Sequence, residues 1–64
     1  MNNLTKNLNR LNQENNLTIK EVANKLLVNP RTLQNYYNGT REPRIDILIE
    51  LAKFYRVTLD ELIL

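Results

Sequence analysis

Cysteine, histidine and tryptophan are absent from this 64-residue chain, and glycine occurs once, at position 39. Without cysteine, no disulfide can staple so small a fold. Small secreted domains usually depend on such staples, so a reducing, cytoplasmic setting is expected. With neither Cys nor His, the usual zinc ligands are missing, and no metal site is assigned. The chain also lacks the commonest general base, a thiol nucleophile and a glycine-rich phosphate loop. No catalytic residue or cofactor is assigned, and an enzyme is not expected. No apolar run has the length of a bilayer span, and the opening MNNLTKNLNRLNQENN does not resemble a signal peptide.

What is present fits one small domain. A chain of this length buries only about 60% of its unfolded surface, so it depends on dense local packing. Hydrophobic residues make up 42% of it, enough for a modest core. The net charge is only +2, but its distribution is uneven. Residues 1–44 carry seven Lys/Arg and three Asp/Glu, whereas residues 45–64 carry two Lys/Arg and four Asp/Glu. A basic front and an acidic back suit a protein that approaches a polyanion with one side.

Apolar spacing is helical throughout, and the fold expected is all-α, a compact five-helix bundle containing a helix-turn-helix. Leu4, Leu8 and Leu11 stripe a first helix over about 3–14. TIKE at 18–21 is a capping box, in which Thr18 and Glu21 satisfy each other's amides, opening a second helix over 18–26. Asn29 caps a third over 29–37, with Pro30 at the position where a missing amide costs nothing. Only Leu27 and Val28 separate these two helices, which must therefore cross steeply. Gly39 ends the third helix, because glycine accepts the left-handed conformation found there. A fourth runs over 45–55. TLDE at 58–61 is a second capping box, opening a fifth over 58–63.

On a helical wheel of the third helix, Leu33, Tyr36 and Tyr37 fall on one side. Arg31, Gln34, Asn35 and Asn38, spaced i, i+3, i+4, i+7, fall on the other. That outer stripe has one guanidinium and three carboxamides and no carboxylate. Arginine can pair bidentately with guanine, and Asn or Gln with adenine, so the stripe has the chemistry of base reading. Tyr37 stands at its edge, either packed in the core or with its hydroxyl on a phosphate.

The ordered set LTIKEVANKLLVNPRTLQNYYNGTREP followed by LIELAKFYRVTLDEL, from Leu8 to Ile63, resembles the lambda-repressor and Cro-like helix-turn-helix family, the XRE group. The resemblance implies a dimeric, sequence-specific binder of double-stranded DNA, usually a repressor, with the third helix in the major groove. It places Pro30, Arg31 and Asn35 against bases, with Gln34 beside them. Thr32, Asn38, Thr40 and Arg44 then contact the DNA backbone, and the amides near Thr18 and Ile19 meet a phosphate. Such a protein would be cytoplasmic and nucleoid-associated when bound. Three residues depart from the family pattern. Leu27 replaces the usual turn glycine, and because a left-handed leucine costs about 1–2 kcal/mol, a different turn geometry is expected there. Ile19 replaces a phosphate-binding glutamine. Arg44 replaces a serine cap, which a nearby phosphate would compensate.

The fourth helix carries two apolar stripes, Ile45, Leu48, Ala52 and Ile47, Leu51, Phe54, and the chain ends on Ile63 and Leu64. The surplus over one core points to an isologous homodimer contact through Ile47, Phe54, Leu59, Ile63 and Leu64. The competing function is a protein-interaction module, an antirepressor or antitoxin, in which this fold binds a protein partner instead of DNA.

Overall fold

The computed structural model describes residues 3–64. It contains five α-helices: α1 Leu4–Glu14, α2 Ile19–Leu26, α3 Pro30–Asn38, α4 Ile45–Tyr55 and α5 Leu59–Ile63. No strand occurs among the described residues, and none of the helices is long and apolar enough to cross a membrane. The expected all-α, five-helix bundle is what the chain forms. In it α3 packs against α1 and α2, and α5 packs against α1 and α4.

Both capping boxes form. The Glu21 amide donates to Thr18 Oγ1 at 3.2 Å and the Thr18 amide to Glu21 Oε1 at 2.8 Å. The equivalent distances for Thr58 and Glu61 are both 3.0 Å. Leu17, Val28 and Val57 each precede a cap and pack against the core as staples. Leu8, Leu33, Leu51, Leu62 and Val22 are sealed from solvent, and each such side chain stabilises the fold by about 1.5–3 kcal/mol.

The C-termini of α1 to α4 share one solution. Leu17, Val28, Thr40 and Val57 each donate a backbone N–H to the carbonyl five residues earlier, on Asn12, Ala23, Asn35 and Ala52, all at 3.0 Å. This closure needs the preceding residue to be left-handed. Those residues are Asn16 (φ 53°), Leu27 (φ 57°), Gly39 (φ 78°) and Arg56 (φ 59°). The different geometry expected at Leu27 is therefore not found. The next helix is capped at Asn29, two residues on, so the chain has no length for another path. Closing Val28 onto Ala23 while packing its side chain on the core outweighs the strain.

Asn7 of α1 and Asn3 just before it tie the bundle together. Asn7 Nδ2 donates to the Leu62 carbonyl at 2.9 Å, and Asn3 Nδ2 to that of Leu64 at 2.9 Å. The Asn3 amide meets the Ile63 carbonyl at 2.6 Å. These carbonyls close α5 and have no partner within it. Asn3 thus precedes α1 without capping it by its side chain, because that side chain is committed to the far end of the chain. On α4 the inward residues are Leu51, Ala52 and Tyr55, and Ile45 is 62% exposed rather than part of an inward stripe. Ile45 occupies the first position of α4, whereas Leu51, Ala52 and Tyr55, its buried residues, lie in the later turns.

Candidate nucleic-acid interface

The α2–turn–α3 unit presents α3 at the surface. Asn29 Oδ1 accepts the Arg31 amide at 2.8 Å, and Pro30 follows at the first helical position. This cap fixes the entry of the helix, and Gly39 fixes its exit. Leu33, Tyr36 and Tyr37 are buried beneath it. Pro30, Arg31, Gln34 and Asn38 are exposed, and Thr32 and Asn35 are half-buried. Pro30, Arg31, Gln34 and Asn35 thus lie together along one outward surface, with Thr32 and Asn38 on the same helix. Gln34 Nε2 donates to Asn38 Oδ1 at 2.8 Å. This orients both amides and leaves the Gln34 carbonyl oxygen and its second N–H facing outward. The side chains of Arg31 and Asn35 make no hydrogen bond among the described residues, so their donors and acceptors are available to a partner.

Tyr37 is not on this surface. Its side chain is 2% exposed, and its hydroxyl lies 2.6 Å from that of Tyr55, which donates to Asn12 Oδ1 at 2.8 Å. The expected phosphate contact from Tyr37 is therefore corrected, because the residue is buried and its hydroxyl is already paired with that of Tyr55 on α4. Burial, then the hydrogen bond and charge of Tyr55, push the Tyr37 phenol far above its ordinary range. Burial also raises Tyr55, partly opposed by its bond to Tyr37. Both phenols stay neutral.

At the start of α2 the Thr18 amide donates to Glu21 and the exposed Thr18 hydroxyl accepts from the Glu21 amide, which leaves the hydroxyl proton, but not the Thr18 amide, to meet a phosphate. The first-turn amides of Ile19 and Lys20 have no partner within the helix, and the Ile19 side chain packs on the core. What this end can offer an anion is therefore those two amides, the Thr18 hydroxyl proton and the Lys20 ammonium. After α3, Thr40, Arg41 and Arg44 are exposed. Arg44 precedes α4 without a capping hydrogen bond, and its Nε lies 3.8 Å from Asp46 Oδ1 with both side chains mostly exposed. So loose a surface pair contributes little and leaves the guanidinium able to turn elsewhere. Arg41, which the sequence reading did not single out, becomes its neighbour in charge on the same loop.

The residues named for self-association are distributed as follows. Ile47, Phe54 and Leu59 are half-buried and packed against the core, Ile63 is half-buried, and Leu64 is 76% exposed. The Phe54 ring stands edge-on to Tyr55, centroids 5.0 Å apart, so part of its surface is already used within the chain. Exposed Ile45 and Ile49 on α4 are not in the named set.

Comparison with known proteins converges on one family. The helix-turn-helix family model matches residues 8–62. The cryptic phage CTXphi transcriptional repressor RstR of Vibrio cholerae is 40% identical over 53 residues, covering 83% of this chain and 48% of the repressor. The HTH-type transcriptional regulator ImmR of Bacillus subtilis (strain 168) is 37% identical over 60 residues, covering 94% of this chain and 47% of the regulator. Among solved structures, that of a transcriptional regulator from Listeria innocua superimposes with a TM-score of 0.91 at 35% identity, over 98% of this chain and 59% of that one. The chain spans about half the length of the curated relatives it matches.

Proposed function

The chain belongs to the helix-turn-helix family, of the XRE type, and from that premise we propose that it regulates transcription by sequence-specific binding of double-stranded DNA, as a repressor in the cytoplasm. One observation carries the reading. The outward surface of α3 presents Arg31, Gln34, Asn35 and Asn38 without a carboxylate among them, on a helix held by caps at both ends. In the major groove Arg31 reads guanine, and Asn35 and Gln34 read adenine, with Pro30 against the base edges. Thr32, Asn38, Thr40, Arg41 and Arg44 flank this surface and hold phosphates, together with the amides of Ile19 and Lys20.

Two copies of the chain place their α3 helices in grooves about 34 Å apart, on an inverted repeat. The contact between them uses the apolar residues Ile47, Phe54, Leu59, Ile63 and Leu64. Sedimentation at micromolar concentration should show the dimer; a single 7.6 kDa species would contradict it.

The test of base reading is selection of bound duplexes from a random pool at near-physiological salt. An inverted repeat should be enriched. Failure of the folded chain to enrich any sequence would favour the other use of this fold, in which it binds a protein partner.

A further inference from the structure

Three polar side chains from three helices form a one-way relay under the reading helix. Asn12 Oδ1 can only accept, so the Tyr55 hydroxyl proton points to it at 2.8 Å, and the Tyr55 oxygen in turn takes the proton of Tyr37 at 2.6 Å. All three residues are buried, and no buried side-chain N or O among the described residues lacks a partner. A second tie lies beside the relay. Asn9 Nδ2 donates at 2.8 Å both to the Thr5 carbonyl and to the Tyr37 carbonyl in the last turn of α3.

These contacts do something that Leu33 cannot. Apolar burial is non-directional and tolerates a helix that slides or rolls, whereas a hydroxyl pair holds its length only over about 2.5–3.0 Å. A side-chain tip on a helix surface lies about 5–6 Å from the axis, so a roll of about 10° moves it about 1 Å. A movement of that size breaks the Tyr37–Tyr55 bond and also displaces Asn35, two residues before Tyr37, from bidentate geometry on a base. We propose that Asn12, Tyr55 and Tyr37 are positioning residues that set the roll of α3 for base reading, with Asn9 fixing its height on α1. The proposal rests on the DNA-reading function above. The relay acts on the outward stripe from beneath without touching DNA.

The test separates this role from stability. In Asn12→Leu/Tyr37→Phe/Tyr55→Phe all the polar atoms of the relay leave together, so none is stranded, and apolar replacement of whole hydrogen-bonded groups can be nearly neutral for folding. Melting and affinity are measured for this variant and the parent. The two duplexes are the sequence selected by the parent and a scrambled one, each over a series of salt concentrations. The relay predicts parental melting, an unchanged salt slope because the phosphate contacts remain, and a specificity ratio lowered about tenfold, the scale of one lost bidentate contact. Parental melting with a parental ratio would overturn the proposal and leave DNA reading intact. Failure of the parent itself to prefer any duplex would overturn both. Should the triple variant not fold, Tyr37→Phe, which removes only the terminal donor, decides between the same two results.

Discussion

Leu33, Tyr36 and Tyr37 turn inward from α3 and are almost sealed from solvent, whereas Arg31, Gln34 and Asn38, on the same nine-residue helix, are exposed. The inner face is satisfied by the chain itself, through packing, the Tyr37–Tyr55–Asn12 relay and the Asn9 tie. The outer face has one internal hydrogen bond, Gln34 to Asn38, and the planar groups of Arg31 and Asn35 are left for something outside. The difference shows how a chain of 64 residues can divide one helix between holding the fold and meeting a partner. Stability and recognition should therefore respond to different substitutions a single residue apart.

Substitutions can break that division from either side. The largest effect on stability should come from the inner face. Leu33→Ala removes a sealed side chain and should cost about 2–5 kcal/mol, a large part of the about 5–15 kcal/mol typical of such domains. Urea unfolding would register it, and binding should fail with the fold. Next comes the exit of the helix. Gly39→Ala puts a Cβ at φ 78° and 3.2 Å from Thr5 Oγ1, and should destabilise by about 1–2 kcal/mol without altering which duplexes the folded fraction selects. The smallest effect, of opposite sign, belongs to the turn before the helix. Leu27→Gly relieves about 1–2 kcal/mol of left-handed strain, offset by the about 0.5–1 kcal/mol of extra freedom glycine has when unfolded. A rise in melting temperature is expected, and a fall would mean that exposed Leu27 makes a stabilising contact.

Much of this architecture is written locally. The boxes at Thr18 and Thr58, the Asn29–Pro30 entry and the Gly39 exit all act within about one and a half helical turns of sequence, and short-range spacing exposes such signals. The outward stripe at 31, 34, 35 and 38 follows from helical period in the same way. What stayed hidden depends on partners far along the chain. Asn7 and Asn3 look like ordinary polar residues until Asn7 meets Leu62 and Asn3 meets Leu64, 55 and 61 residues away. Tyr37 reads equally as surface or core until Tyr55 is placed against it. Ile45 fits an inward stripe by period, yet at the first position of α4 it is left exposed while Ile47 and Leu48 of the same turn pack on the core. At Leu27 the local cost was legible, but the gain that outweighs it, closure of Val28 onto Ala23 and the core, was not.

The central claim is that the outer face of α3 reads bases and takes no part in holding the fold. Arg31→Ala/Asn35→Ala tests it most directly, by titration against the duplex the parent selects, with melting measured alongside. The variant should keep its stability to within about 0.5 kcal/mol and bind at least about 100-fold more weakly, the combined scale of two bidentate contacts. A folded double variant that binds that duplex as tightly as the parent would contradict the account.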